Sequence, residues 1–172
     1  PKEIRVSPNI TAASTVTQHL IKTHWKDKVA VLTEICGKEE IASAMIFCNR
    51  KRDVDTLCHE LGRRGFSAAA LHGDMSQPAR FETLENFKSG KANLLVCSNV
   101  AARGLDLPQV SHVFNFDVPE YPEDYVHRIG RTGRAGKTGV SYTFATNDEM
   151  RFVQAIEKLI GRKLEVKKEK VA

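Results

Sequence analysis

The chain has 172 residues, of which 41% are apolar and 27% charged, and its formal net charge is +5. That length can bury one ordinary hydrophobic core, and the balance excludes an intrinsically disordered chain. No apolar run approaches the roughly 18–20 residues that a membrane-spanning helix requires, so no membrane partner is expected.

In chain order, residues 15–22 read as a strand and 26–36 as a helix. Residues 43–48 (SAMIFC) form a buried-strand run. Val54, Leu57, Cys58 and Leu61 then make a helical stripe, closed by Gly62 and Gly65. Residues 68–71 are the next strand. Ser76 and Pro78 open a helix carrying Phe81, Leu84 and Phe87, which stops at Gly90. Residues 94–97 and 110–116 are two further strands. The segment from 122 to about 134 reads as helix, weakened by Gly130 and Gly133. Residues 139–145 are the last strand of this pattern. Thr146 and Glu149 make a T-x-x-E capping box before a helix with Met150, Val153, Ile156 and Ile160. No internal repeat or linker interrupts the series.

Strands alternating with helices predict a single α/β domain, with a mainly parallel sheet covered by helices on both faces. The domain is expected over residues 1–161, with about the first 12 as an N-terminal extension. From Arg162 to Lys170 stand five basic and two acidic residues, so 162–172 reads as a basic tail. The rest of the chain carries 21 basic and 19 acidic residues, too nearly neutral for a protein that merely coats nucleic acid. The opening PKEIRVSPNI has no secretory n-region or h-region and no initiator Met, as expected of an excised or processed piece. Cys36, Cys48, Cys58 and Cys97 form no C-x-x-C pair, and the six His show no ligand spacing. No metal site is expected, and free thiols predict a reducing, cytoplasmic setting.

In parallel sheets of this kind, ligands sit at the carboxyl ends of the strands. Here those ends are polar. After 43–48 come Asn49, Arg50, Lys51 and Arg52, and after 68–71 come His72, Gly73 and Asp74. After 94–97 come Ser98 and Asn99, then Ala101-Ala102-Arg103-Gly104-Leu105-Asp106. Turn chemistry explains each Gly, Asn or Asp singly. Together they describe a sheet built to hold something. The stretch HRIGRTGRAG (127–136) adds an anion signal, because no acid occurs between Asp124 and Asp148 while Arg128, Arg131, Arg134 and Lys137 do. On a helix, His127, Arg131 and Arg134 would fall within about 60° of one another. Guanidinium groups on one face suit phosphate oxygens, and the two glycines imply close backbone approach to a neighbour or ligand. Gly136-Lys137-Thr138 ends like a P-loop, but that pattern needs Gly where Arg131 stands. No D-E-x-D run occurs to hold Mg²⁺.

HRIGRTGRAG resembles the sixth motif of DEAD-box RNA helicases, SNVAARGLD (98–106) their fifth, and SAMIFCNRKR their fourth. His72-Gly73-Asp74 with Gln77 and Arg80 is similar to the elements between them. The order is right, from about residue 43 to 139, and His127-Arg128 favours the DEAD-box branch of the helicases. The resemblance implies the second, C-terminal RecA-like domain of an ATP-dependent RNA helicase, inactive without the N-terminal domain. It implies that Arg131 and Arg134 are catalytic arginines reaching the ATP γ-phosphate, and that Asp106 binds the ribose beside Gly104. It implies RNA-backbone contacts at Arg80 and Ser98, with Asn49, Arg50 and Gly73 in the same groove. His127 and Arg128 are expected to face the first domain. ATP and Mg²⁺, RNA bound without sequence preference, and the N-terminal domain are the implied ligands and partners. Ser98-Asn99 departs from the family's common Thr-Asp: serine keeps the hydroxyl, but asparagine removes a charge. The other class of function open to this fold is a non-catalytic RNA-binding or partner-docking module.

Overall fold

The computed structural model describes residues 15–134 and 136–168. In chain order the elements are β1 (Val16–Lys22), a 3₁₀ turn (Trp25–Asp27) entering α1 (Lys28–Lys38), β2 (Ala44–Cys48), α2 (Lys51–Arg63), β3 (Ala68–Leu71) and α3 (Gln77–Lys88). There follow β4 (Leu94–Ser98), the single turn α4 (Asn99–Ala102), β5 (His112–Asn115), α5 (Pro122–Ile129), β6 (Gly139–Ala145), a 3₁₀ turn (Asn147–Glu149) entering α6 (Met150–Ile160), and β7 (Glu165–Val166). All seven strands are parallel, in the order β3-β4-β2-β5-β6-β1-β7.

Because the sheet is buried on both faces, its central strands are continuous apolar runs rather than alternating ones. Met45, Phe47, Leu95, Cys97 and Val113 face one core, completed by Phe87 of α3, Tyr125 and Ile129 of α5, and Val153 and Ile156 of α6. Ala44, Ile46, Leu94, Val96 and Phe114 face the other, under Val31, Leu32 and Ile35 of α1 and Val54, Leu57 and Leu61 of α2. Helix starts follow local chemistry. The Ser76 hydroxyl caps α3 by accepting from the Ala79 amide, and Thr146 with Glu149 forms the expected capping box. Cys48 and Cys97 are buried free thiols.

Four expectations change. The helix expected to about residue 134 ends at Ile129, with Gly130 as its C-cap. Residues 131–134 instead bend toward the chain before β5, where the Val110 amide donates to the Arg131 carbonyl at 3.0 Å. Phe81 is exposed, and α3 buries Thr83 and Phe87. The strand expected over 110–116 is shortened to its central four residues. The sheet also runs into the segment read as a basic tail: Leu164 is buried, and Glu165 and Val166 pair with His19 and Leu20 of β1. The expected N-terminal extension and the end of the tail lie outside the described residues. Among the described residues, no helix is long and apolar enough to cross a membrane.

Candidate functional site

The central strands end at one polar rim, and Arg128 of α5 reaches into it. The side chain is 2% exposed. Its Nε donates to Asn99 Oδ1 at 3.2 Å, and Nη1 to Asn115 Oδ1 at 3.1 Å and the Asp117 carbonyl at 3.0 Å. Nη2 donates to Asn49 Oδ1 at 2.8 Å. The guanidinium also sits 5.1 Å from the Phe47 ring centroid. One side chain thus ties together the exits of β2, β4 and β5. Burial pulls the guanidinium down to about 10, because its hydrogen-bond acceptors are neutral oxygens. Four of its five N–H donors are engaged inside this domain. A second buried cation lies nearby. Lys28 donates to the Phe116 carbonyl at 2.6 Å and to Glu149 Oε1 at 2.9 Å, with Asp117 at 3.8 Å. Burial pushes the Asp117 carboxyl up, against the Asn49 amide and Lys28, which pull it down.

Beside this hub opens a cleft of about 430 Å³, with α4 and the loop after it on one side and the residues from His127 to Arg134 on the other. Arg131 is anchored across it: Nη1 donates to the Leu105 carbonyl at 3.0 Å and Nη2 to the Ala102 carbonyl at 2.7 Å. Between those carbonyls Gly104 has φ +76°, a conformation that L side chains rarely adopt. Asp106 is exposed at the cleft and His127 projects beside it. Arg134 is exposed, and its guanidinium has no protein partner among the described residues. His127, Arg131 and Arg134 therefore converge, but through a turn and not through helical spacing. One anchored arginine, one open arginine and a carboxylate suit an anion that also carries hydroxyl groups.

The exits of β2, β3 and β4 form a second group. Arg50 is exposed at the start of α2. Gly73 is exposed, and a Cβ there would meet nothing within 4 Å. Arg80 is half-buried, and its Nη1 donates to the His72 carbonyl at 3.2 Å. His72 Nδ1 accepts the Asp74 amide at 3.2 Å, so Nε2 carries the proton donated to Asp55 at 2.8 Å. The Ser98 hydroxyl accepts from the Ala101 amide at 3.3 Å, which caps α4 and leaves its own proton to donate. Asn49 has less to offer a ligand: its Oδ1 serves Arg128 and its Nδ2 donates to the Val118 carbonyl at 3.0 Å. Sequence reasoning missed Lys28 and Asn115. Only Asn115 left a signal, as a polar residue inside an apolar strand run. Among the described residues, no three His, Cys, Asp or Glu side chains converge as a metal site.

Parallel topology, polar strand ends and an arginine-lined cleft define a RecA-like helicase domain, and residues 27–136 match the family model of the helicase conserved C-terminal domain. The DEAD-box ATP-dependent RNA helicase CshA of Geobacillus kaustophilus is 44% identical over 165 residues, which is 96% of this chain and 35% of that protein. The chain thus spans about a third of the length of the curated relatives it matches. The solved C-terminal domain of the DEAD-box protein Dbp5 superposes with a TM-score of 0.81 at 34% identity, covering 90% of this chain and 89% of that one. S. cerevisiae Dbp5 bound to RNA and ADP BeF3 gives a TM-score of 0.85 at 33% identity, covering 96% of this chain and 44% of that one. The chain belongs to the DEAD-box RNA helicase family and is a C-terminal helicase domain of that family.

Proposed function

We propose that this domain supplies the arginine half of an ATP-hydrolysing site and half of an RNA-backbone groove, in a protein whose helicase activity needs a second, N-terminal RecA-like domain. The observation that carries the reading is the cleft. It gathers Arg131, Arg134 and Asp106 with no metal-binding cluster beside them among the described residues, as half of a shared site would. The similarity to Dbp5, solved with RNA and ADP BeF3, supports both ligands. In this reading the phosphate cradle and the residues that would hold Mg²⁺ lie in the other domain, and the metal would neutralise phosphate charge there.

Phosphoryl transfer is catalysed by positioning and by stabilising charge on the phosphoryl oxygens. Arg134, with an open guanidinium, meets the γ-phosphate when the domains close. Arg131 holds the loop after α4 through two carbonyls and presents its remaining N–H groups to the same oxygens. Asp106 accepts from the ribose hydroxyls. Arg50, Arg80, Gly73 and Ser98 take the RNA backbone at the neighbouring strand exits. RNA and ATP then favour the same closed state, and each raises affinity for the other without touching it.

Steady-state kinetics of the full-length protein test this. Arg134→Ala should lower kcat by about 10²–10³, the effect of losing one preorganised charge-stabilising donor, while nucleotide-free RNA affinity stays put. Arg131→Ala should also raise the KM for ATP, because the Ala102 and Leu105 carbonyls lose their donor. Normal ATPase with lost RNA affinity in Arg134→Ala would move the arginine turn to the RNA side.

A further inference from the structure

We propose that Gln109 is a positioning residue for Arg134, aiming the arginine turn at the nucleotide cleft through a hydrogen bond to the turn's main chain. The inference rests on the reading of Arg134 given above. After α5 ends, the Arg131 and Thr132 amides still donate to the Arg128 and Ile129 carbonyls of its last turn, and contacts outside the helix fix residues 131–133 further. The Arg131 side chain grips two carbonyls, and its own carbonyl accepts the Val110 amide. The Thr132 hydroxyl donates to the Val110 carbonyl at 2.5 Å. Gly133 is wedged against β1, and its carbonyl accepts the Thr15 hydroxyl at 2.5 Å.

Arg134 is the exception. Its side chain is open, and among the described residues its carbonyl accepts only the Lys137 amide, at 3.0 Å and three residues on. Among the described residues, its amide is held by the side chain of Gln109, whose Oε1 accepts it. Gln109 ends the loop that carries Gly104 and Asp106. The same bond therefore sets the open arginine in register with the cleft's other wall. A guanidinium at the end of a free turn would sample many positions. A main-chain tether at its own residue removes most of that freedom before the phosphate arrives, which is where preorganisation contributes to rate.

The test uses the full-length protein with two variants of similar length. Gln109→Met removes the acceptor, and Gln109→Glu keeps one. Gln109→Met should lower kcat of RNA-stimulated ATP hydrolysis by about 10- to 100-fold, with the KM for ATP, nucleotide-free RNA affinity and Tm unchanged. Amide hydrogen exchange around residue 134 should accelerate in Gln109→Met and be restored in Gln109→Glu, which should recover kcat with it. Wild-type kcat in Gln109→Met beside a defective Arg134→Ala would overturn the inference and leave the arginine reading intact. So would a Gln109→Glu variant with restored protection and no recovery of rate. A wild-type rate in Arg134→Ala would instead overturn the arginine reading, and the role of Gln109 with it.

Discussion

Arg128 is a charge held almost without solvent, so its surroundings decide what it costs. Its acceptors are three asparagine side chains and one main-chain carbonyl. They satisfy geometry but return little of the lost hydration of a cation, which is why burial draws the group down to about 10. Asn99 stands where the family commonly has an acid. Asn99→Asp would place a carboxylate on Nε and turn a neutral bond into a charge-assisted one. That change should stabilise the chain by about 1 kcal/mol, raising Tm by about 2–4 °C. Arg128→Met should do the opposite, leaving the Asn49, Asn99 and Asn115 side-chain oxygens short of a donor, at a cost of about 3 kcal/mol or more. Urea unfolding of both variants checks the pair of signs. An Asn99→Asp chain less stable than the parent would mean that the hub is tuned for neutral acceptors.

Among the elements, the turn after α5 matters most and was least legible. Composition marked its arginines and glycines, and phosphate chemistry gave them a plausible task. Helical spacing then grouped His127, Arg131 and Arg134 correctly for a wrong geometric reason, since α5 stops at Ile129. Of the two glycines, Gly133 does serve close approach, to a neighbour. Gly133 has φ +68°, and a Cβ there would lie 2.8 Å from Val16 Cγ2 and 2.9 Å from Thr15 Oγ1. Gly133→Ala should therefore destabilise by about 1–3 kcal/mol through strain and contact together. It should also lower ATPase, because the arginines ride on that turn; thermal melts and kinetics of the full-length variant read the two effects. The central strands were plain in the sequence because burial on both faces leaves an unbroken apolar run. The starts of α3 and α6 were plain because capping is local. Residues whose partners are distant in sequence were not: Lys28 meets Phe116 and Glu149, and Gln109 meets Arg134. The strand β7 was hidden in a charged stretch because the edge of β1 supplies its pairing. Phe81 fitted the core stripe of α3 by spacing yet faces outward.

At the scale of the molecule, the two candidate sites share one end of the sheet but differ in how complete they are within this chain. The cleft gathers arginines and a carboxylate, and in the proposed reading the phosphate cradle lies in a second domain, so the chain alone should show no RNA-stimulated ATP hydrolysis. The strand-exit edge is likewise half of a groove in that reading, and its open cations are few. Lys51 pairs with Asp74 at 3.1 Å, and of the RNA contacts proposed above Arg50 and Arg80 are the cations that can replace counterions. Two phosphate contacts on a single strand give a slope of log K against log salt of about −1.4. RNA binding by the isolated chain should therefore be weak, indifferent to sequence and lost as salt rises. Arg80→Ala should reduce the slope by about 0.7 and leave the cleft unaffected, since Arg80 bonds to His72 on the far side of β4 from the arginine turn. Titrations of fluorescent single-stranded RNA at three salt concentrations measure both quantities. Tight binding with a flat salt response, or marked preference for one sequence, would mean that base contacts dominate, and the edge would have to be reassigned from backbone to base recognition.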